Sequence, residues 1–131
     1  MLNHAIEIAK SNPIKPRGRN SISRFAAILS NGRQSFYGLN KYKTHPLQSK
    51  FGSNPECIYL HAELDAIIRA INFRARYEGK RYLSLDICDL SDFDMYVARV
   101  LKDGTPAIAK PCEGCMKAIE HFNVRSVQWT M

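Results

Sequence analysis

The 131 residues are 45% hydrophobic and 24% charged, enough for one ordinary domain with a single core spanning 1–131 and too little for a second. Nineteen Lys and Arg against twelve Asp and Glu leave a formal charge of +7, which points to an anionic partner, a nucleotide phosphate or a nucleic acid, without choosing between them. No apolar run approaches the roughly 20 residues of a membrane span, and Asn3, His4, Glu7 and Lys10 interrupt any apolar leader, so no membrane partner and a cytoplasmic setting are expected. In a reducing compartment a close thiol pair reads as metal-binding or redox-active rather than as a disulfide framework.

Leu2, Ala5, Ile6 and Ala9 fall at helical spacing and predict a short amphipathic helix over residues 2–10, ended by Asn12-Pro13. The next segment, Ile14 to Asn20, holds Lys15, Arg17 and Arg19 with no anion, and Pro16 and Gly18 make it a loop. It is either solvated basic surface or a phosphate-facing loop, since arginine's fork of donors suits phosphate. A strand is expected over residues 22–30, a tight turn at Asn31-Gly32 and a return strand from Gln34 to Leu39, so that Gly38-Leu39-Asn40 reaches a rim of the sheet.

From Lys41 to Tyr59 the sequence predicts a long, mostly irregular connection, of a length that usually has a task such as covering a substrate. Lys41, Lys43 and Lys50 are its candidate cations. His45, before Pro46, reads as a turn or substrate contact rather than a metal ligand. Tyr37, Tyr42 and Tyr59 either stack on a base or pack as ordinary aromatics.

A helix is expected from near His61 to about Arg76, with Leu64, Ile67, Ile68 and Ile71 on one apolar stripe and Glu63 and Asp65 in the first turn, where negative charge is favoured. Gly79 punctuates its end, and Tyr82, Leu83, Leu85 and Ile87 form a short strand or a packed loop. The four Asp between Asp86 and Asp94 read as exposed acidic surface, with an acidic counter-patch for a basic neighbour as the alternative. Met95 to Leu101 is a strand, Lys102 to Thr105 a turn, Glu113 to His121 a helix burying Met116 and Ile119 with Phe122, and Val124 to Thr130 a last strand. The order is that of an α/β protein, a mixed sheet of about four or five strands flanked by helices.

The chemistry concentrates in Pro111-Cys112-Glu113-Gly114-Cys115 and His61-Ala62-Glu63. Two thiolates three positions apart and one imidazole suit tetrahedral Zn²⁺ and leave one position open for water. Glu63 is the candidate proton shuttle, taking a proton from that water, delivering it to a ring nitrogen and then to a departing amine. Two other readings stay open: structural zinc, completed by His45, Cys57, Cys88 or His121, and a redox dithiol.

His61-Ala62-Glu63-Leu64-Asp65-Ala66-Ile67 and Pro111-Cys112-Glu113-Gly114-Cys115-Met116-Lys117-Ala118-Ile119 resemble the zinc motifs of the cytidine and deoxycytidylate deaminase superfamily. Ser30 to Gly32 followed by Gly38-Leu39-Asn40 resembles its opening hairpin, and the likeness runs over roughly residues 2 to 129. It implies a three-layer cytidine deaminase-like fold, one zinc per chain on His61, Cys112 and Cys115, and Glu63 as the catalytic acid and base. It also implies substrate contact at Asn40 and at Ala62 between the two motif residues. The histidine and Lys117-Ala118-Ile119 resemble deoxycytidylate deaminases and tRNA adenosine deaminases more than the all-cysteine cytidine deaminases. The connection from Lys41 to Tyr59 departs from the family pattern.

With Arg17, Arg19 and Arg24 available for a phosphate, and Lys43 and Tyr42 for further contacts, the expected substrate is a pyrimidine nucleotide, deoxycytidine monophosphate converted to deoxyuridine monophosphate and ammonia. The alternatives are free cytidine or deoxycytidine, adenine in a tRNA loop, and a non-enzymatic zinc-stabilised interaction domain. A homo-oligomer is expected.

Overall fold

The computed structural model describes residues 1–16, 23–51, 59–77 and 89–131. Its centre is a mixed five-stranded sheet. Strand β1 (Arg24–Ser30) runs antiparallel to both β2 (Ser35–Leu39) and β3 (Asp94–Val100). The other edge of β3 is shared: its end pairs with the two-residue β4 (Pro106–Ala107), and its first half pairs in parallel with β5 (Ser126–Trp129). The hairpin between β1 and β2 turns at Gly32, whose φ of 88° suits glycine, while Oδ1 of Asn31 accepts the N–H groups of Arg33 and Gln34.

The period-two alternation of the strands sorts their side chains into two layers. Ala26 and Ile28 of β1, with Ala98 and Val100 of β3, lie under helix α1 (Leu2–Lys10), which buries Ala5 and Ala9 against them. Ala27 and Leu29, with Met95 and Val97, face the opposite way into the larger core. There they meet Leu64, Ile67, Ile68 and Ile71 of one helix (Ala62–Tyr77) and Ala118 and Ile119 of another (Glu113–His121). Each fully buried Leu, Ile, Val or Met side chain among these contributes about 1.5–3 kcal/mol relative to leaving it in water. Helices thus cover both faces, in agreement with the α/β expectation.

The connection after β2 differs from its sequence reading. Pro46–Phe51 is a helix, α2, so the long connection is not mostly irregular across these residues. The ring Nδ1 of His45 accepts the Leu47 N–H at 3.1 Å and caps the first turn, and Leu47 and Phe51 are buried in the larger core. The helices over Ala62–Tyr77 and Glu113–His121 are therefore α3 and α4. Residues 52–58 lie outside the described residues, as do Gly79, Tyr82, Leu83, Leu85, Asp86 and Ile87.

Within the acidic stretch, Asp94 follows the alternative reading, a carboxylate paired with a basic neighbour. Asp89 and Asp92 are exposed as expected, but Asp94 is held by Nη2 of Arg125 at 2.6 Å and the Ser126 hydroxyl at 2.7 Å, joining the starts of β3 and β5. The opposite charges draw two neighbouring strands together. Among the described residues, no helix is long and apolar enough to cross a membrane.

Candidate metal centre

Pro111 cannot donate a backbone hydrogen bond and stands just before the helix, where none is needed. Cys112 is the N-cap of α4, with extended backbone (φ −67°, ψ 168°), and its Sγ takes the role usually played by a serine or aspartate oxygen by accepting the Cys115 N–H at 3.5 Å. Cys115 is buried one turn into the helix. The partner segment arrives at the start of α3: His61 precedes the first helical residue, Ala62, and Glu63 follows.

The three side chains converge. Nδ1 of His61 lies 3.6 Å from Sγ of Cys112 and 3.4 Å from Sγ of Cys115, and the three ligand atoms all fall within 4.8 Å of one another. Tetrahedral zinc with Zn–S near 2.3 Å and Zn–N near 2.05 Å sets nitrogen and sulfur about 3.6 Å apart. The cluster can therefore hold a metal ion and fits one zinc. Among the described residues it contains no fourth ligand: His45 caps α2, and the His121 ring packs on Phe51 and Phe122. Cys57 and Cys88 lie outside the described residues.

The electrostatics of the cluster favour a cation. The hydrogen bond from Cys115, then that from His61, holds the Cys112 thiol down to about 4, in thiolate form at neutral pH. Cys115 is pushed up by its hydrogen bond to Cys112 and by burial. The same contact with Cys112 raises His61. The protons at Cys115 and His61 are those a metal ion would displace. Glu63, 4% exposed, is raised by desolvation, so its carboxyl holds a proton more readily than an ordinary glutamate.

A cavity of about 280 Å³ opens onto this cluster, lined by Phe25, Asn40, His61, Glu63, Lys110 and Cys112. Asn40 enters it from the end of β2 with its carboxamide already fixed: Oδ1 accepts from Nδ2 of Asn12 at 2.7 Å and from the Phe25 N–H at 3.0 Å, and Nδ2 donates to the Ser23 carbonyl at 3.0 Å. Among the described residues the second N–H of the amide has no partner. On its far side Asn40 also borders a depression of about 170 Å³ formed with Asn12, Pro13, Ile14, Leu39 and Lys41.

The structure thus brings His61, Glu63, Cys112, Cys115 and Asn40 to one place. Ala62 is buried beneath Gly38 of β2: a Cβ added there would meet the Ala62 carbonyl oxygen and, at 2.5 Å, the main-chain nitrogen of Ala66. Only glycine admits so close an approach of helix to strand. Arg24 is spent elsewhere, donating to the carbonyls of Lys10 at 2.7 Å and Leu101 at 3.2 Å. Tyr42 donates its hydroxyl to the Lys15 carbonyl at 2.6 Å and meets Tyr59 edge-on. Lys43 is exposed, and Lys41 pairs with Asp65 at 3.1 Å. Arg17 and Arg19 lie outside the described residues.

Two lining residues were not anticipated. Lys110 directly precedes Pro111, and its position beside the cysteine motif was the available signal; Phe25 lies in a strand and carried none. No protein-family model, no curated protein and no solved structure matches this chain.

Proposed function

We propose that the chain is a zinc-dependent deaminase, of the cytidine and deoxycytidylate class its motifs resemble, that hydrolyses the exocyclic amine of a cytosine nucleotide, deoxycytidine monophosphate being the substrate of choice. The observation that carries this reading is a buried Glu63, raised by desolvation, beside the His61, Cys112 and Cys115 cluster on the wall of one cavity. A structural metal clip has no use for such a carboxyl, whose burial is costly.

Zinc held by His61 Nδ1 and the two sulfurs would supply the Lewis acidity that makes water a nucleophile near neutral pH. Glu63 accepts a proton as that water adds to C4 of the base and returns it to ring N3. It then takes the remaining hydroxyl proton and gives it to the amine, so that ammonia leaves and the C4 carbonyl of uracil forms. A carboxyl with a raised pKa suits both directions of transfer. Phe25 offers the base an apolar wall, the second N–H of Asn40 a donor, and exposed Lys110 a cation for the phosphate at the mouth. The cavity is near the lower size limit of ligand pockets, roughly 300 Å³, which fits a single nucleotide.

The test is a panel under one ammonia-release assay: deoxycytidine, its mono- and triphosphates, and an adenosine-containing RNA hairpin, each with the zinc-loaded protein. The monophosphate is expected to react fastest. Equal rates for nucleoside and monophosphate would remove the phosphate contact, and ammonia from none of them would contradict the reading.

A further inference from the structure

Gln48 is fully buried, at 0% exposure, in the middle of α2. Its Oε1 accepts the main-chain N–H of His61 at 3.1 Å, while its Nε2 has no hydrogen-bond partner among the described residues. An orphaned buried donor destabilises the fold. Methionine or leucine would fill similar space without one, so packing alone does not explain glutamine. What an apolar side chain cannot supply is the oxygen that holds His61.

That oxygen acts where it has most leverage. The chain leaves the isolated pairing of Lys41 with Leu60 and turns into α3 at His61, so the hydrogen bond fixes the backbone from which the imidazole projects. The helix that carries Gln48 is itself fixed to the other half of the centre. The Phe51 ring stands 5.4 Å from the His121 ring and 6.1 Å from Phe122, at the end of α4, the helix that carries Cys115 and is capped by Cys112. At its other end α2 is capped by His45. It bridges the segment bearing the histidine and the helix bearing the sulfurs.

We infer that Gln48 is a positioning residue of the metal centre: through the His61 N–H it aims the imidazole at the sulfurs of Cys112 and Cys115. This rests on the metal-binding half of the proposed function and not on deamination. Loss of a hydrogen-bonding partner behind a metal ligand typically costs roughly 10–100-fold in metal affinity.

The experiment compares the full chain with Gln48→Met and Gln48→Glu, reading zinc affinity by competition with a chromogenic chelator, the visible spectrum of the cobalt-loaded protein, and the thermal midpoint without metal. Gln48→Met is expected to fold with a midpoint no lower than the parent's yet to bind zinc about tenfold more weakly, with a shifted cobalt band. Gln48→Glu keeps an oxygen for the His61 N–H and should restore the parent band and an affinity within about threefold of the parent. Parent-like affinity and spectrum in Gln48→Met would overturn the inference, as would a Gln48→Glu as weak as Gln48→Met. Failure of Gln48→Met to fold would overturn it too, by making the residue structural. The readouts need no turnover, so an absence of deaminase activity does not count against Gln48, whereas a parent that binds no zinc overturns both readings.

Discussion

Cys112 and Cys115 are held by their own helix, whereas His61 and Glu63 are held by residues far away in the chain. Cys112 caps α4 through its sulfur, and Cys115 follows one turn later, so the spacing of the two thiols is a property of four consecutive residues. At the start of α3 the supports are remote. Gln48 takes the His61 N–H, Gly38 lets Ala62 lie against β2, and buried Asp65 accepts from the Leu39 N–H at 3.0 Å while pairing with Lys41. The difference teaches where the centre is vulnerable. The thiol half is expected to tolerate change elsewhere in the sheet better than the histidine half.

The largest effect should come from the ligands themselves. Cys115→Ala or His61→Ala is expected to abolish stoichiometric zinc, measured by elemental analysis after dialysis, and all zinc-dependent turnover with it. Retention of one tightly bound zinc in either variant would place the metal elsewhere. Gly38→Ala comes next and sharpens the contrast between the two halves: forcing a methyl into the α3 backbone should cost about 3 kcal/mol in denaturant unfolding and weaken zinc binding, although Gly38 touches no ligand. Gly32→Ala, strained by its positive φ but with open space around it, should cost about 1 kcal/mol and leave zinc affinity alone. Equal zinc affinities in the two variants would break the comparison.

The smallest effect lies away from the centre. Arg125, then Ser126, hold the Asp94 carboxyl down to about 2 from an ordinary 3.8. A depressed carboxylate adds stability that is fully present above its unfolded value and disappears as pH falls through about 2. Because Arg125 is more than half exposed and salt screens the pair, Asp94→Asn should cost only about 1 kcal/mol at neutral pH. Unfolding of parent and variant should converge between pH 4 and 2 in acid titration; a constant gap across that range would contradict the assignment.

How much of this could be read from the sequence follows the same division. The thiol motif, the helix at Glu113–His121 and the apolar stripe of α3 are written in local spacing, and so is the β1–β2 hairpin with its Asn31-Gly32 turn. Helix α2 was not legible because six residues starting at a proline carry too little periodicity; the His45 cap and the burial of Leu47 and Phe51 hold it in place. Asp65 looked like first-turn charge on α3, and only the return of β2 turns it into a clamp. Asp94 looked like solvated surface for a similar reason, since its partner Arg125 is thirty-one residues away. Phe25 and Lys110 meet at the cavity only once β1 and the segment before Pro111 are brought together. Resemblance supplied the expectation at Asn40; tertiary hydrogen bonds supply its orientation.

The central claim is that Glu63 moves protons at a metal centre built from both halves. It is tested most directly by measuring ammonia release from deoxycytidine monophosphate with zinc-loaded parent and Glu63→Gln side by side, with zinc content determined in the same samples. The expected result is full zinc in both and a rate about 10³-fold lower in Glu63→Gln. Equal rates at equal zinc content would contradict the account.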